Sequence, residues 1–219
     1  MKMIINILNG GNMSKYIWIN PVMESMYRKP VLDGFLQKHG FTRVWCRTDW
    51  GREVKEKYRK MLDGCRDTVA DARCPMACEL VKSMAEGGVR AAGIEPILIH
   101  CAREISSRED LRNGEKIITT PCVSLADMGN SLRLPNTRFI TWNALLKELG
   151  QRPEGKQLHA SPIPPGFFAG MEERVQSLTG KEEIEAYMKS GRWKEVRLME
   201  MLYCHKGCHN GDGVVMDET

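Results

Sequence analysis

Short apolar runs alternate with stretches of helical spacing along this chain. Residues 16–19 form an apolar run that stops at an Asn-Pro pair, and they predict a strand. Apolar residues at positions 31, 32, 35 and 36 repeat at the interval of a helix, which predicts a helix over 31–39 that ends at Gly40. Residues 41–46 predict a second strand. The order strand, helix, strand is typical of α/β proteins.

The alternation continues to the C-terminal region, and it predicts an α/β fold with largely parallel sheets flanked by helices. Residues 151–166 interrupt it with four prolines and two glycines, a composition typical of a linker or an ordered loop. The other predicted elements are helices at 53–62 and 74–85, a helix-like stretch after 97–100, strands at 116–120 and 138–141, helices at 143–149 and 170–189, and a strand at 196–202.

Composition excludes several classes of protein. The chain has 219 residues, of which 42% are hydrophobic and 27% charged, so it is neither disordered, nor a coiled coil, nor a collagen. It contains no apolar run of 18 residues, and the formal net charge of +4 arises from intermixed charges of both signs. We therefore expect neither a membrane nor a nucleic acid among its partners.

The cysteines are numerous for a protein that we expect to be cytoplasmic. The apolar run in residues 1–10 is short, is broken by Asn6 and lacks a small-residue cleavage site, unlike a secretory signal. Because cytoplasmic thiols stay reduced, a cysteine-rich chain there is expected to bind metal or do redox chemistry rather than form disulfides. The eight cysteines are Cys46, Cys65, Cys74, Cys78, Cys101, Cys122, Cys204 and Cys208.

Three cysteine loops carry the strongest chemical signal. Cys204 and Cys208 are separated by three residues in a glycine-rich loop, Cys74 and Cys78 have the same spacing, and Cys122 follows a predicted strand. Iron–sulfur clusters are usually held by four thiolates, which different loops can supply. Sites in α/β proteins form beyond the carboxyl ends of the strands, where Cys122 and Cys204 are predicted to lie.

The spacings leave other interpretations open. Two C-x3-C pairs are compatible with a structural zinc, although one residue longer than the usual C-x2-C. Cys204 to His209 is likewise one residue longer than the haem-attachment pattern C-x-x-C-H, and Gly180-Lys181 lacks the rest of a phosphate-binding loop. His100 and Cys101 are adjacent and could form a catalytic pair, but a buried position at a strand end or helix start is the preferred interpretation.

The order of these motifs resembles that of a known family. Residues 201–211, MLYCHKGCHNG, are similar to V-M-A-C-P-G-G-C-x-N-G of the catalytic (H-cluster) domain of iron-only [FeFe]-hydrogenases, and the resemblance extends over about residues 16–213. The shorter matches in chain order are 40–44 to G-F-x-x-V, 48–53 to T-x-x-G-A-D, 73–75 to S-C-C-P, 118–122 to P-C-x-x-K, 139–142 to V-L-T, and 170–172 to G-G-V-M-E.

The resemblance implies a two-lobed fold with an iron–sulfur site. The implied domain spans 16–213, with possible lobes 16–90 and 91–213, between an N-terminal tail (1–15) and a C-terminal tail (214–219). Cys208 would be the thiolate that also bridges to a diiron unit, and Cys78 has no counterpart in the family. The implied ligands of a [4Fe–4S] cluster are Cys74, Cys122, Cys204 and Cys208, which leaves Cys46, Cys65, Cys78 and Cys101 as reduced structural thiols.

The chain departs from the family at three residues near the diiron unit. Arg73 replaces a proton-relaying cysteine, Leu125 replaces a lysine that donates to cyanide, and Leu202 replaces a methionine. A pocket without these contacts should hold a cyanide-bearing diiron unit poorly. Arg73 would either raise the potential of a neighbouring cluster or face solvent. His205 and His209 are expected to be solvated loop side chains.

These observations predict a cytoplasmic, hydrogenase-like iron–sulfur protein that binds one [4Fe–4S] cluster for electron transfer or redox sensing, without hydrogen activity. The chain shows no N-terminal ferredoxin-like run of cysteines, so electrons would come from a ferredoxin-like protein or another subunit. Two alternatives stay open. One is an active iron–sulfur oxidoreductase of hydrogenase type with a cofactor at the cluster, and the other is a zinc-stapled structural or binding module.

Overall fold

Two parallel β-sheets form the framework of the chain, seen in a computed structural model that describes residues 13–85, 87–163 and 165–216. No helix in these ranges is long and apolar enough to cross a membrane. The strands are β1 (Lys15–Trp18), β2 (Phe41–Arg43), β3 (Thr68–Ala70), β4 (Val89–Ala91), β5 (Glu115–Thr120), β6 (Thr137–Thr141), β7 (Val175–Thr179) and β8 (Leu198–Leu202). The helices are α1 (Pro21–Met26), α2 (Lys29–Lys38), α3 (Trp50–Gly64), α4 (Pro75–Met84), α5 (Ile97–Ser107), α6 (Val123–Ser131), α7 (Trp142–Leu149) and α8 (Lys181–Lys189).

Within the described residues each sheet has four strands, and all of its strand pairs are parallel. The first sheet has the order β2-β1-β5-β6, and the second has the order β4-β3-β8-β7. Ile17 on β1 pairs with Arg43 on one side and with Ile117 on the other. Each sheet takes strands from both sides of residue 90, the predicted boundary between the two lobes. The predicted limits of the tails and of the lobes stay a prediction. The predicted α/β fold with parallel sheets flanked by helices is confirmed.

Both faces of each sheet are buried, as parallel sheets require. On β1, Ile17 belongs to one hydrophobic cluster and the next residue, Trp18, to another. On the second sheet, Leu198 and Met199 divide in the same way. Successive strand side chains point to opposite faces, so each alternation means that helices or loops cover both faces. The ends of the strands are connected by loops, and the loops that carry Cys74, Cys122 and Cys204 follow β3, β5 and β8.

The structure corrects the predicted helix over 170–189. Strand β7 (Val175–Thr179) lies within the first half of this segment, and of residues 170–189 only Lys181–Lys189 is helical. The strand pairs with β8 in the register Val175↔Leu198, and Gly180, with a φ of +94°, separates it from α8. As an edge strand, β7 pairs with one neighbour only. This pairing with β8 still outweighs the tendency to form a helix that the acidic residues at 172 and 173 indicate. The short strands β3 and β4 and the helices α1 and α6 were not predicted either.

The described part of the proline-rich stretch, residues 151–163 and 165–166, is an ordered loop rather than a linker. The N–H of Lys156 donates to the carbonyl of Met26 at 2.9 Å. Gly155 lies so close to the Tyr27 ring that a Cβ there would be 2.3 Å from Cε1. Leu158 and Ile163 pack against the core cluster on one face of the first sheet. The loop therefore belongs to the packed domain.

A close helix–strand contact allows a stability prediction. A Cβ on Gly129 of α6 would lie 2.1 Å from the ring of Phe139 on β6, so Gly129→Ala should lower the free energy of unfolding by about 1–3 kcal/mol. Gly34 on α2 has nothing within 4 Å of the same position, and Gly34→Ala should raise it by about 0.5–1 kcal/mol. Urea unfolding of both variants measures this, and equal effects would contradict the packing.

Candidate functional site

Three loops that leave the carboxyl ends of strands supply the predicted site residues. Cys74 follows β3 and is the N-cap of α4, Cys122 follows β5 and is the N-cap of α6, and Cys204 follows β8. Strands β3 and β8 are neighbours in the second sheet, whereas β5 lies in the first. The loops therefore meet where the carboxyl ends of both sheets come together, the usual position of sites in parallel α/β proteins.

Cys74, Cys122, Cys204 and Cys208 all line one cavity, which we call the first cavity and which has a volume of about 400 Å³. The structure thus brings together four residues that lie up to 134 positions apart in the sequence. Within the described ranges, no three His, Cys, Asp or Glu side chains are close enough to hold a single metal ion. The four cysteines therefore surround a cavity and do not converge on the position of a single metal ion.

The four remaining cysteines lie away from the first cavity. Cys78 is buried within α4, one turn after Cys74, and Cys65 is buried at the end of α3. Cys101 is buried in α5, and its carbonyl accepts a hydrogen bond from the Cys46 thiol. The neighbouring Cys46 side chain and burial raise the pKa of the Cys101 thiol well above its usual range. Cys46 itself is half-buried.

Burial and mutual proximity hold the four cavity thiols in the neutral form. Burial, with a contribution from Cys74, raises the pKa of the Cys122 thiol to about 12, and burial and Cys74 raise that of Cys204 to about 11. Burial raises the pKa of Cys208 even further, and the other three cysteines add to the shift. Four thiolates would repel one another here, so the arrangement favours a cationic centre that displaces their protons.

Backbone N–H groups partly offset this cost. Burial raises the pKa of the Cys74 thiol, while the N–H of Tyr203, whose nitrogen lies 3.4 Å from Cys74 Sγ, acts in the opposite direction. Cys74 and Cys122 each stand at the first turn of a helix, where free N–H groups and the helix dipole favour a negatively charged sulfur. The site therefore suits thiolates once their protons are displaced.

The C-terminal cysteine loop is fastened to the loop that carries Cys122. The N–H of Gly213 donates to the carbonyl of Pro121 at 3.0 Å, and the N–H of Val123 donates to Asp212 Oδ1 at 3.0 Å. A Cβ on Gly211 would lie 2.3 Å from the Pro121 carbonyl oxygen. Glycine is therefore required at this position because the two backbones touch, which keeps Cys122 and Cys208 at a fixed separation.

Arg73 is buried, so of its two predicted roles the one in which it faces solvent is wrong, while an effect on the potential of a cluster stays a prediction. Its Nε lies 3.0 Å from Asp71 Oδ2, and its Nη2 donates to Asp71 Oδ2 at 2.8 Å and to Glu200 Oε1 at 2.9 Å. The guanidinium also lies 4.2 Å from the ring centroid of Phe167 and 4.5 Å from that of Phe168. Burial alone would lower the pKa of Arg73, but the two carboxylates outweigh it and raise that pKa.

Sequence reasoning missed the two carboxylates that hold Arg73. Glu200 is 1% exposed and lies on β8 between apolar residues, and it also accepts hydrogen bonds from the N–H of Phe167 and from the Ser177 hydroxyl. Asp71 is fully buried and accepts a hydrogen bond from the Tyr58 hydroxyl at 2.8 Å. A charged residue within a buried apolar strand is the signal that could have identified Glu200.

A second cavity, with a volume of about 460 Å³, lies on the other side of Cys208. Its lining is mostly apolar, and the tryptophans Trp18 and Trp50 are its largest members. Glu104 holds Trp50 in place by accepting a hydrogen bond from the indole N–H at 2.8 Å. The residues that line both cavities, and so form their shared wall, are Arg73, Pro121, Leu125, Leu202 and Cys208.

The histidines near the site differ in their surroundings. His205 lines the first cavity and is exposed, as expected. His209 is only 3% exposed, so the expectation that it is solvated is wrong, and its Nδ1 has no hydrogen-bond partner among the described residues. His100 is buried near the start of α5, which agrees with the preferred interpretation, and it stacks on Trp50 with ring centroids 4.9 Å apart.

His100 should make stability depend on pH. Burial, reinforced by Lys57 with its Nζ 3.3 Å from His100 Nε2, lowers the pKa of the imidazole below its ordinary value of 6.5. The unfolded state therefore binds the proton more readily, so the stabilisation is complete above about pH 6.5 and falls as the pH drops towards the folded-state pKa. We expect urea midpoints of His100→Gln to fall less than those of the wild type between pH 7.5 and pH 5. Replacing the exposed His159 by Gln should leave the wild-type profile unchanged, and identical profiles for all three proteins would contradict the assignment.

Comparisons with known proteins identify the fold. No protein-family model matches the sequence, and no curated protein matches it. A structure of HydA(deltaEFG) that reveals stepwise [FeFe]-hydrogenase H-cluster assembly has a TM-score of 0.61 at 13% identity over 97% of this chain and 82% of that one. An apo [FeFe]-hydrogenase HydA1 variant from Chlamydomonas reinhardtii has a TM-score of 0.59 at 13% identity over 96% and 82%. The chain therefore has a hydrogenase-like α/β fold, resembling [FeFe]-hydrogenase structures along almost its whole length.

Proposed function

We propose that this chain is a hydrogenase-like iron–sulfur protein in which Cys74, Cys122, Cys204 and Cys208 hold one [4Fe–4S] cluster for electron transfer or redox sensing. The observation that carries the proposal is the convergence of these four cysteines, from three separate loops, on the first cavity. Four cysteine thiolates are the usual ligand set of such a cluster. The hydrogenase-like fold supports the same conclusion independently.

The donor set suits the group in chemistry as well as number. Sulfur ligands favour iron–sulfur clusters, and the raised pKa values of Cys122 and Cys204 reflect a cluster of thiols that a cationic metal core would stabilise as thiolates. The N–H of Tyr203 would donate to the Cys74 sulfur, and such hydrogen bonds influence the potential of a cluster. When bound, the cluster would supply a reversible one-electron couple.

A cyanide-bearing diiron unit does not fit the second cavity in the same way. Leu125 and Leu202 present only hydrocarbon at the wall shared with the first cavity. Arg73, the cation of that wall, uses Nε and Nη2 on two carboxylates, and the three groups together carry a formal charge of −1. Further negative charge from cyanide would therefore be placed beside an excess of buried negative charge. For this reason the proposed function does not include hydrogen activity.

Electron exchange would take place at the mouth of the first cavity. The exposed residues Lys181, Glu182 and His205 line this cavity, so the cluster would lie beneath a thin, partly polar cover. Met76, which is 40% exposed, also lines it and presents apolar surface to a partner. We propose a ferredoxin-like protein or another subunit as the partner, and the cytoplasm, where the thiols would stay reduced, as the location.

Metal analysis under anaerobic conditions tests the proposal. Purified or reconstituted protein should contain about four irons and four sulfides per chain, absorb as a brown chromophore, and give an EPR signal after reduction. Colourless protein with one zinc per chain would favour a zinc-stapled module and overturn the proposal. Loading with a synthetic diiron complex that bears cyanide and carbonyl ligands should give no hydrogen above a protein-free control. Sustained hydrogen evolution would overturn the stated lack of hydrogen activity.

A further inference from the structure

The second cavity has the size and lining of a small-molecule site. Its volume of about 460 Å³ lies within the range of about 300–1,000 Å³ that is typical of ligand pockets. The lining is dominated by aromatic and aliphatic side chains, including Trp18, Leu98 and Phe167. The cavity also reaches Cys208, so that a molecule inside it would lie directly beside the proposed cluster.

Arg73 provides one fixed hydrogen-bond donor in this apolar lining. The side chain is 6% exposed, and its Nε and Nη2 are engaged by Asp71 and Glu200. Its Nη1 donates none of the hydrogen bonds found among the described residues. The rings of Phe167 and Phe168 flank the guanidinium, so its plane is held by contacts on several sides. Arg73 therefore presents the N–H groups of Nη1, already oriented, to a ligand.

Charge decides which kind of acceptor these N–H groups would meet. Arg73, Asp71 and Glu200 carry a formal charge of −1 in total and are all at least nine-tenths buried. An anionic ligand would add a second negative charge in a poorly solvated place, at a high cost in desolvation. A neutral oxygen acceptor gains a charge-assisted hydrogen bond without that cost.

We propose that the second cavity binds a small, neutral, largely apolar molecule with a carbonyl-type oxygen, to which Arg73 Nη1 donates a hydrogen bond. This inference names a ligand class for the space beside the cluster, and it rests on the proposed function for the redox role of that ligand. The binding itself depends only on the cavity and on Arg73. A cyanide-bearing diiron unit is the occupant that these residues disfavour.

Binding of matched probes tests this inference on the full chain prepared anaerobically. Cyclohexanone carries the carbonyl oxygen, methylenecyclohexane has the same shape without it, and cyclohexanecarboxylate adds a negative charge. Saturation-transfer NMR titrations should show that cyclohexanone binds about tenfold more tightly than either of the other two. Equal affinity for cyclohexanone and methylenecyclohexane, or tighter binding of the carboxylate, would overturn the proposal.

Two variants locate the binding. Arg73→Lys keeps the charge but removes Nη1, and it should reduce the preference for cyclohexanone over methylenecyclohexane to less than about threefold. Ile97→Phe fills the cavity without changing Arg73 and should weaken cyclohexanone binding about tenfold, so the test holds even where Arg73→Lys does not fold. The control Val215→Phe lies on the surface and should leave binding unchanged. Unaltered binding by Ile97→Phe would overturn the proposed site.

Iron and sulfide content of the same preparations separates this inference from the proposed function. Selective cyclohexanone binding by protein that holds no cluster would contradict the proposed function and support the ligand site. A complete cluster in protein that binds cyclohexanone no better than methylenecyclohexane would support the proposed function and contradict the ligand site.

Discussion

Replacement of Cys122 by serine is expected to reduce bound iron from about four per chain to less than about one. Cys122 is the only proposed ligand contributed by the first sheet, and the other three come from loops of the second sheet. Without this thiolate, the cluster would lose its single attachment across the cavity, because a serine oxygen is a harder and less suitable ligand for iron–sulfur chemistry. Iron and sulfide analysis with EPR of the reduced protein measures the result.

Cys78→Ser is the matched control for this prediction. Cys78 has the same side chain and lies one helical turn from Cys74, but it does not line either cavity. We expect this variant to retain its iron and its EPR signal. Loss of the cluster in Cys78→Ser together with its retention in Cys122→Ser would mean that the ligand set is wrong. Parallel thermal melts show whether any loss of iron comes merely from unfolding.

Arg73→Met is expected to lower the free energy of unfolding by about 3–5 kcal/mol, the usual cost of removing one partner of a buried ion pair. The change leaves Asp71 and Glu200 buried as two negative charges, with exposed fractions of 0% and 1%. Glu200 also accepts hydrogen bonds from the N–H groups of Gly166 and Phe167, so the loop beside the second cavity would lose order. Urea unfolding of the protein without bound metal measures the change.

An exposed ion pair provides the comparison. Arg103 Nη2 lies 2.6 Å from Glu95 Oε1, a distance similar to those around Arg73, but these side chains are 45% and 36% exposed. Arg103→Met should therefore cost less than about 1 kcal/mol, because solvent screens the pair and replaces the lost contact. Similar losses in Arg73→Met and Arg103→Met would contradict a special role for the buried group.

Local patterns in the sequence were sufficient for most of the framework. The apolar runs that predict strands at 16–19, 116–120 and 138–141 correspond to β1, β5 and β6, which lie next to one another in the first sheet. Strands buried on both faces consist of continuous apolar runs that stand out from their surroundings. The strands β3 and β4 were missed because their three residues are not part of a longer apolar run, unlike residues 41–46, which contain the equally short β2.

The candidate site was predictable in part. Spacing and glycine content singled out the cysteine loops at 74, 122 and 204–208, and the order of the motifs suggested the four that now surround the first cavity. The partners of Arg73 were not predictable in this way. Glu200 lies 127 residues away from it in the sequence, and no local pattern connects two groups at that separation.

The sequence by itself determined the parallel α/β class, the identity of the cysteine loops and the three departures at Arg73, Leu125 and Leu202. Only the tertiary structure decided that the loops of both sheets meet around one cavity, that residues 175–179 form an edge strand and that Arg73 is buried between two carboxylates. The physical reason is the range of the interactions. Periodicity and turn chemistry act between near neighbours, whereas strand pairing and buried charge pairs depend on residues that only the complete fold brings together.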